Sequence, residues 1–126
     1  MLLGDYLADF VKLINEYAQA NLVVSSDIKN DFRTETLGLI KATIVFIDES
    51  VLYITEYLDA EFKIDKPTYS YHYQKKNGEM VFRYDNARHK PHLGFTNHKH
   101  RSDGRVAKAE APDIRTIFEE VLEFLL

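Results

Sequence analysis

The chain has 126 residues, 45% of them apolar and 13% aromatic, which suits one globular domain and excludes a disordered chain. It holds no cysteine, so disulfides, thiolate metal sites and a cysteine nucleophile are excluded. The net charge of −4 hides an asymmetry: residues 72–108 carry nine Lys/Arg against three Asp/Glu, and the rest carries seven against seventeen. A basic face on an acidic body is an electrostatic footprint for a polyanion, although a basic solvated loop has the same composition. No apolar run approaches the length that spans a bilayer. Asp5 and Asp9 stand where a secretory leader would be basic. A cytoplasmic protein without a membrane segment is expected.

Leu3, Leu7, Phe10, Ile14 and Tyr17 recur at helical spacing, which predicts a helix over Leu3–Ala18. Val23–Arg33 reads as a strand. Leu39–Ile47 and Val51–Leu58 read as strands around a turn at Asp48-Glu49-Ser50. In that pairing Val45, Ile47, Leu52, Ile54 and Leu58 share a face with Glu56, and Ile44, Phe46, Val51, Tyr53 and Tyr57 take the other. Both faces are largely apolar, so these strands are expected to be central and covered on both sides. Glu56 then either meets water at a strand end or needs a cationic partner, for which Arg83 or a histidine is available.

Thr68–Lys75 and Met80–Asp85 flank Asn77-Gly78, a strong hairpin signal. A two-residue loop pairs Lys76 with Glu79, and hence Tyr73 with Phe82 and Tyr71 with Tyr84 on one aromatic face. His72–Arg83 and Ser70–Asp85 then fall on a polar face, with Gln74 beside Val81. Ile114, Ile117, Phe118, Val121, Leu122 and Leu125 form the stripe of a final helix, with Pro112 suited to its first turn. The expected fold is α+β over residues 1–126: an antiparallel meander of about five strands, with an N-terminal and a C-terminal helix packed on one face.

All five histidines lie between positions 72 and 100, four of them in the loop-like stretch 88–100. Histidine exchanges protons or binds metal near neutral pH. No phosphate-binding glycine loop, His-Glu-x-x-His or Gly-x-Ser-x-Gly motif is present, and no helix-turn-helix is evident. His98-Lys99-His100 with His89 or His92 and Asp85 could ligate a divalent metal, yet Arg88, Lys90, Lys99 and Arg101 oppose a cation. No cofactor is therefore expected, with metal-dependent hydrolysis as an alternative. Metal-free acid–base chemistry on RNA needs a base, an acid and cations, since RNA supplies its own 2′-OH nucleophile. A non-catalytic module that binds RNA or an acidic partner through the same loop is the other alternative. Tyr69, Tyr71, Tyr73, Phe82 and Tyr84 could stack bases, but strand spacing also suits a core.

Tyr71-His72-Tyr73, Phe82-Arg83-Tyr84-Asp85-Asn86-Ala87, His89, His98-Lys99-His100 and the amphipathic final helix follow one another in an order that resembles the TumE-like proteins. These are small prokaryotic toxins of toxin–antitoxin pairs. The resemblance covers about the last two-thirds of the chain. It departs where the family shows Pro-His-His after Asn-Ala, here Arg88-His89-Lys90, and Pro-His before His-Lys-His, here Thr96-Asn97. The resemblance implies a toxin paired with a helix-turn-helix antitoxin. Together with the basic, histidine-rich stretch it points to an RNA endonuclease. His89, His98 and His100 are the acid–base candidates, and Asp85 would orient an imidazole or the arginine. Arg83, Lys99, Arg88 and His72 are the candidates for holding substrate.

Overall fold

The computed structural model describes residues 1–87 and 95–125. Helix α1 spans Leu3–Gln19 and helix α2 spans Ile114–Leu125. Between them run β1 (Val23–Phe32), β2 (Leu37–Phe46), β3 (Val51–Asp59), β4 (Asp65–Gln74), β5 (Met80–Asp85), β6 (His98–Arg101) and β7 (Val106–Lys108). They form one antiparallel sheet whose spatial order is the chain order. The α+β meander with a helix from each end is as expected, with seven strands where about five were expected. The two additional strands are β6, which falls mostly in the stretch read as loop-like, and β7, where the sequence predicts no element.

Three tight turns share one chemistry. In each, an Asx side chain at the middle loop position accepts a backbone N–H two residues on: Asp48 from Ser50, Asn77 from Glu79 and Asp103 from Arg105. The next residue is left-handed, with φ of 67° at Glu49, 90° at Gly78 and 86° at Gly104. Glycine adopts that conformation without steric cost, whereas Glu49 holds it against its own Cβ.

Loop length corrects two registers. The loop at Asn77-Gly78 has three residues, closed by the Lys75 N–H bonded to the Glu79 carbonyl at 2.9 Å, so Lys76 does not pair with Glu79. A bulge beyond Tyr73 absorbs the added residue and pairs Gln74 with Met80 rather than Val81. Ser70–Asp85, Tyr71–Tyr84, His72–Arg83 and Tyr73–Phe82 therefore pair as expected. The β2–β3 loop has no such compensation. It closes from Phe46 N–H to the Ser50 carbonyl, one residue earlier than the turn read from sequence. Ile44 consequently pairs with Leu52 and Val45 with Val51, so Ile44 and Phe46 join Leu52, Ile54, Glu56 and Leu58 on one face.

That face carries the core. Phe10, Leu13 and Ile14 of α1 and Ile117, Phe118 and Val121 of α2 pack on Ile40, Ile44, Phe46, Leu52, Tyr71, Tyr73 and Phe82, all at most 2% exposed. Phe118 bridges the layers, with its ring centroid 4.9 Å from Tyr17 and 5.9 Å from Phe46. The Asp113 carboxylate caps α2 by accepting the Thr116 N–H at 2.8 Å, which places Pro112 ahead of the cap rather than in the first turn. The opposite face of the central strands is not covered by the described residues: Tyr53 and Tyr57 are 43% and 46% exposed. The expectation of two covered faces fails because the one-residue shift gathers the aliphatic side chains under the helices.

Glu56 is fully buried beneath the helices, not at water. Its carboxylate accepts the Tyr6 hydroxyl at 2.7 Å and the Tyr71 hydroxyl, and lies 3.1 Å from Lys66 Nζ. Lys66 also donates to the Pro112 carbonyl at 2.9 Å. The cationic partner is thus Lys66 of β4, not Arg83 or a histidine. Burial, reinforced by the Glu56 charge, pushes both tyrosine hydroxyls up. The cluster joins α1, β3, β4 and the segment that leads into α2 through one satisfied polar network.

Candidate functional site

Strand alternation sends Arg83 and Asp85 to the open face, and antiparallel pairing sets His100 opposite Arg83 and His98 opposite Asp85. On the other flank His72 pairs with Arg83 and Ser70 with Asp85. Two adjacent cross-strand rows result, one holding Tyr53, His72, Arg83 and His100, the other Thr55, Ser70, Asp85 and His98.

Asp85 is the hub and is 4% exposed. Its Oδ2 accepts from Arg83 Nε at 2.6 Å and lies 3.6 Å from His100 Nε2, while Oδ1 is 2.5 Å from His98 Nε2. Burial alone would raise this carboxyl. The Arg83 hydrogen bond and charge, with His98 and His100, outweigh it and hold Asp85 below the usual carboxylate range. The His98 and His100 rings meet edge to face with centroids 5.1 Å apart.

His72 closes the other side. Its Nδ1 faces Arg83 Nη1 at 3.5 Å and its Nε2 faces Gln74 Oε1 at 3.1 Å. A guanidinium only donates, so Nδ1 accepts and Nε2 carries the proton toward Gln74. Burial, opposed by the Gln74 bond and assisted by the Arg83 charge, lowers the His72 pKa and favours the neutral ring. A cleft of about 500 Å³ opens over His72, Arg83 and Asp85, lined also by Tyr53, Thr55 and Ser70, with His98 and His100 outside its lining. Asn86 forms its rim, donating to the Pro67 carbonyl at 2.9 Å.

Of the residues singled out in the sequence, Asp85, Arg83, His72, His98 and His100 come together. Lys99 does not. Alternation along β6 turns it to the helix face, where it meets Glu120 at 2.7 Å and lies 4.9 Å from the Tyr84 ring centroid. Arg88, His89 and His92 lie outside the described residues. The sequence reading did not single out Tyr53 and Thr55 as site residues; correct pairing of β3 with β4 is the signal that would have found them. Asp85, His98 and His100 each offer a donor atom, all within 4.8 Å of one another, so this trio could also hold a metal ion.

The model of the family described as Toxin TumE matches residues 10–126. The chain belongs to the TumE toxin family. The match starts well ahead of the motifs that carry the resemblance and takes in most of α1, every strand and α2. Membership makes this TumE-family chain the toxin component of a toxin–antitoxin system, with an antitoxin as its partner. No curated protein and no solved structure matches it significantly. Among the described residues no helix is long and apolar enough to cross a membrane.

Proposed function

We propose that this toxin is a cytoplasmic RNA endonuclease that works by histidine acid–base chemistry, with a helix-turn-helix antitoxin as its partner. The observation that carries the reading is the row His72–Arg83–His100, two imidazoles flanking a cation, with Asp85 bonded to the arginine. RNA brings its own nucleophile. His72, favoured as the neutral ring, exchanges its 3.5 Å contact from Nδ1 to Arg83 for the substrate and accepts the proton of a 2′-OH at Nδ1 as the 2′-oxygen bonds to phosphorus. His100, 3.6 Å from the Asp85 carboxylate, donates a proton to the departing 5′-oxygen as the P–O5′ bond breaks. The products are a 2′,3′-cyclic phosphate and a 5′-hydroxyl. Arg83 stabilises the charge on the equatorial oxygens, and Asp85 fixes the guanidinium. His98, 1% exposed, is a positioning residue that acts through Asp85. His89 and Arg88 are further candidates for the acid–base and phosphate-holding roles, whereas Lys99, turned to the helix face and paired with Glu120, is given no substrate role.

Purified protein is expected to cleave RNA in the presence of a chelator, leaving cyclic phosphate ends, and its expression is expected to slow growth. RNA left intact with and without divalent metals, together with unaffected growth, overturns the reading.

A metal-dependent hydrolase is the second reading, favoured by the donor trio of Asp85, His98 and His100. The trio would polarise a phosphoryl oxygen through the ion. Arg83, 2.6 Å from the same carboxylate, opposes it electrostatically. Metal analysis of untagged protein and loss of cleavage in chelator would favour this reading over the first.

A further inference from the structure

The open face does not end at the cleft. The row that contains Asp85 and His98 continues through Ser70 and Thr55 to Lys41 of β2 and Lys29 of β1. The neighbouring row runs from His100 through Arg83 and His72 to Tyr53. Tyr53 is 43% exposed, its ring centroid 6.1 Å from that of His72. A shallow depression lined by Lys29, Lys41, Thr43, Tyr53 and Thr55 adjoins it. With strands about 4.8 Å apart, β2 to β6 spans roughly 19 Å of sheet. Lys41 is exposed and makes no ion pair among the described residues, whereas Lys29 lies 3.9 Å from Asp27.

We infer that this toxin takes its RNA as a single strand laid across the sheet from β6 to β2, with Tyr53 stacking a base beside the cleft and Lys41 holding a phosphate beyond it. The inference rests on the proposed ribonuclease reading and adds the form of the substrate. An exposed aromatic ring between cationic groups on an open sheet suits unstacked bases, because a duplex buries the base faces that a ring needs to meet. Thr55 and Ser70 are uncharged, so the stretch between Lys41 and the Asp85 carboxylate, itself paired with Arg83, adds no charge that repels the strand. The occupant is a nucleic acid rather than an acidic peptide because the exposed Tyr53 ring offers a base a face to stack on beside the row His72–Arg83–His100, which suits a phosphodiester.

The test measures binding of a fluorescent single-stranded RNA, and of the same sequence as a duplex, to His100→Gln protein, in which cleavage is disabled. Tyr53→Ala and Lys41→Glu in that background should each weaken single-strand binding about tenfold, and Tyr53→Phe should retain it. Lys12→Glu, the same charge change on exposed α1, should leave binding unchanged. The duplex should bind more weakly than the single strand. In the active protein Tyr53→Ala should raise KM with kcat retained. Binding by Tyr53→Ala and Lys41→Glu equal to that of Lys12→Glu, or duplex bound as well as single strand, overturns the inference even if cleavage is real. Binding weakened by both variants with no cleavage by the unmutated protein supports the track and removes the ribonuclease reading. No RNA binding overturns both.

Discussion

Glu56 and Asp85 stand on opposite faces of one sheet, and both are almost wholly buried with a cation bonded to them. Their surroundings differ in what can still react. Glu56 spends its oxygens on two tyrosine hydroxyls and Lys66, beneath both helices, in a closed network whose cation also ties down the Pro112 carbonyl. Asp85 faces an arginine and two imidazoles beside a cleft. A buried carboxylate therefore does not by itself mark a site. Tyrosine hydroxyls of raised pKa close off the Glu56 carboxylate, whereas the Asp85 carboxylate is met by an arginine and two imidazoles.

The contrast can be broken from either side. The largest expected effect is on catalysis: His100→Gln should lower RNA cleavage about 10²–10⁴-fold, the range for losing one general acid or base, with thermal unfolding little changed. Next comes Lys66→Met, which leaves Glu56 buried without its cation. It should cost about 3–5 kcal/mol in denaturant unfolding, while the fraction that stays folded cleaves normally. Asp85→Asn should cost less stability, about 2–3 kcal/mol, because Arg83 is partly solvated, but should impair cleavage as well. Its stability defect should also depend on pH. Asp85 has a lowered pKa in the fold, so its contribution is fully present above the unfolded carboxyl value, about 3.9, and is lost as the pH falls below it. Wild-type and Asp85→Asn unfolding curves should therefore converge in acid, and curves that stay equally separated at all pH values would rule this coupling out. The smallest effect belongs to Lys99→Met, which removes a half-shielded ion pair with Glu120 and should cost about 1 kcal/mol, read as a small drop in Tm.

The sequence made one flank of the open face legible and obscured the other. Asn77-Gly78 marks the β4–β5 turn, and the polar pairs His72–Arg83 and Ser70–Asp85 follow from it, even with the loop length misjudged, because a bulge restores the register. Asp103-Gly104 carries the same turn signal between β6 and β7, closed from the Arg101 N–H to the Arg105 carbonyl at 2.8 Å. The flanking strands are only four and three residues long, and β6 is wholly His, Lys and Arg, a composition that gives no apolar alternation to read. Without β6 as a strand paired to β5, nothing in the sequence turns Lys99 away from His98 and His100. As a strand, its pleat sends Lys99 to the helices and both histidines to Asp85. Glu56 was legible as an acid that needs a partner, but its partner was not, because Lys66 reaches it from the neighbouring strand β4, and the turn ahead of β3 was placed one residue late.

The most direct test sets two neighbours on β6 against each other: single-turnover cleavage of single-stranded RNA by His100→Gln and by Lys99→Met, each compared with wild type. If the open face is the reactive one, His100→Gln should lose at least about a hundredfold and Lys99→Met should cleave at the wild-type rate. Comparable losses in both variants, or a loss confined to Lys99→Met, would contradict the account.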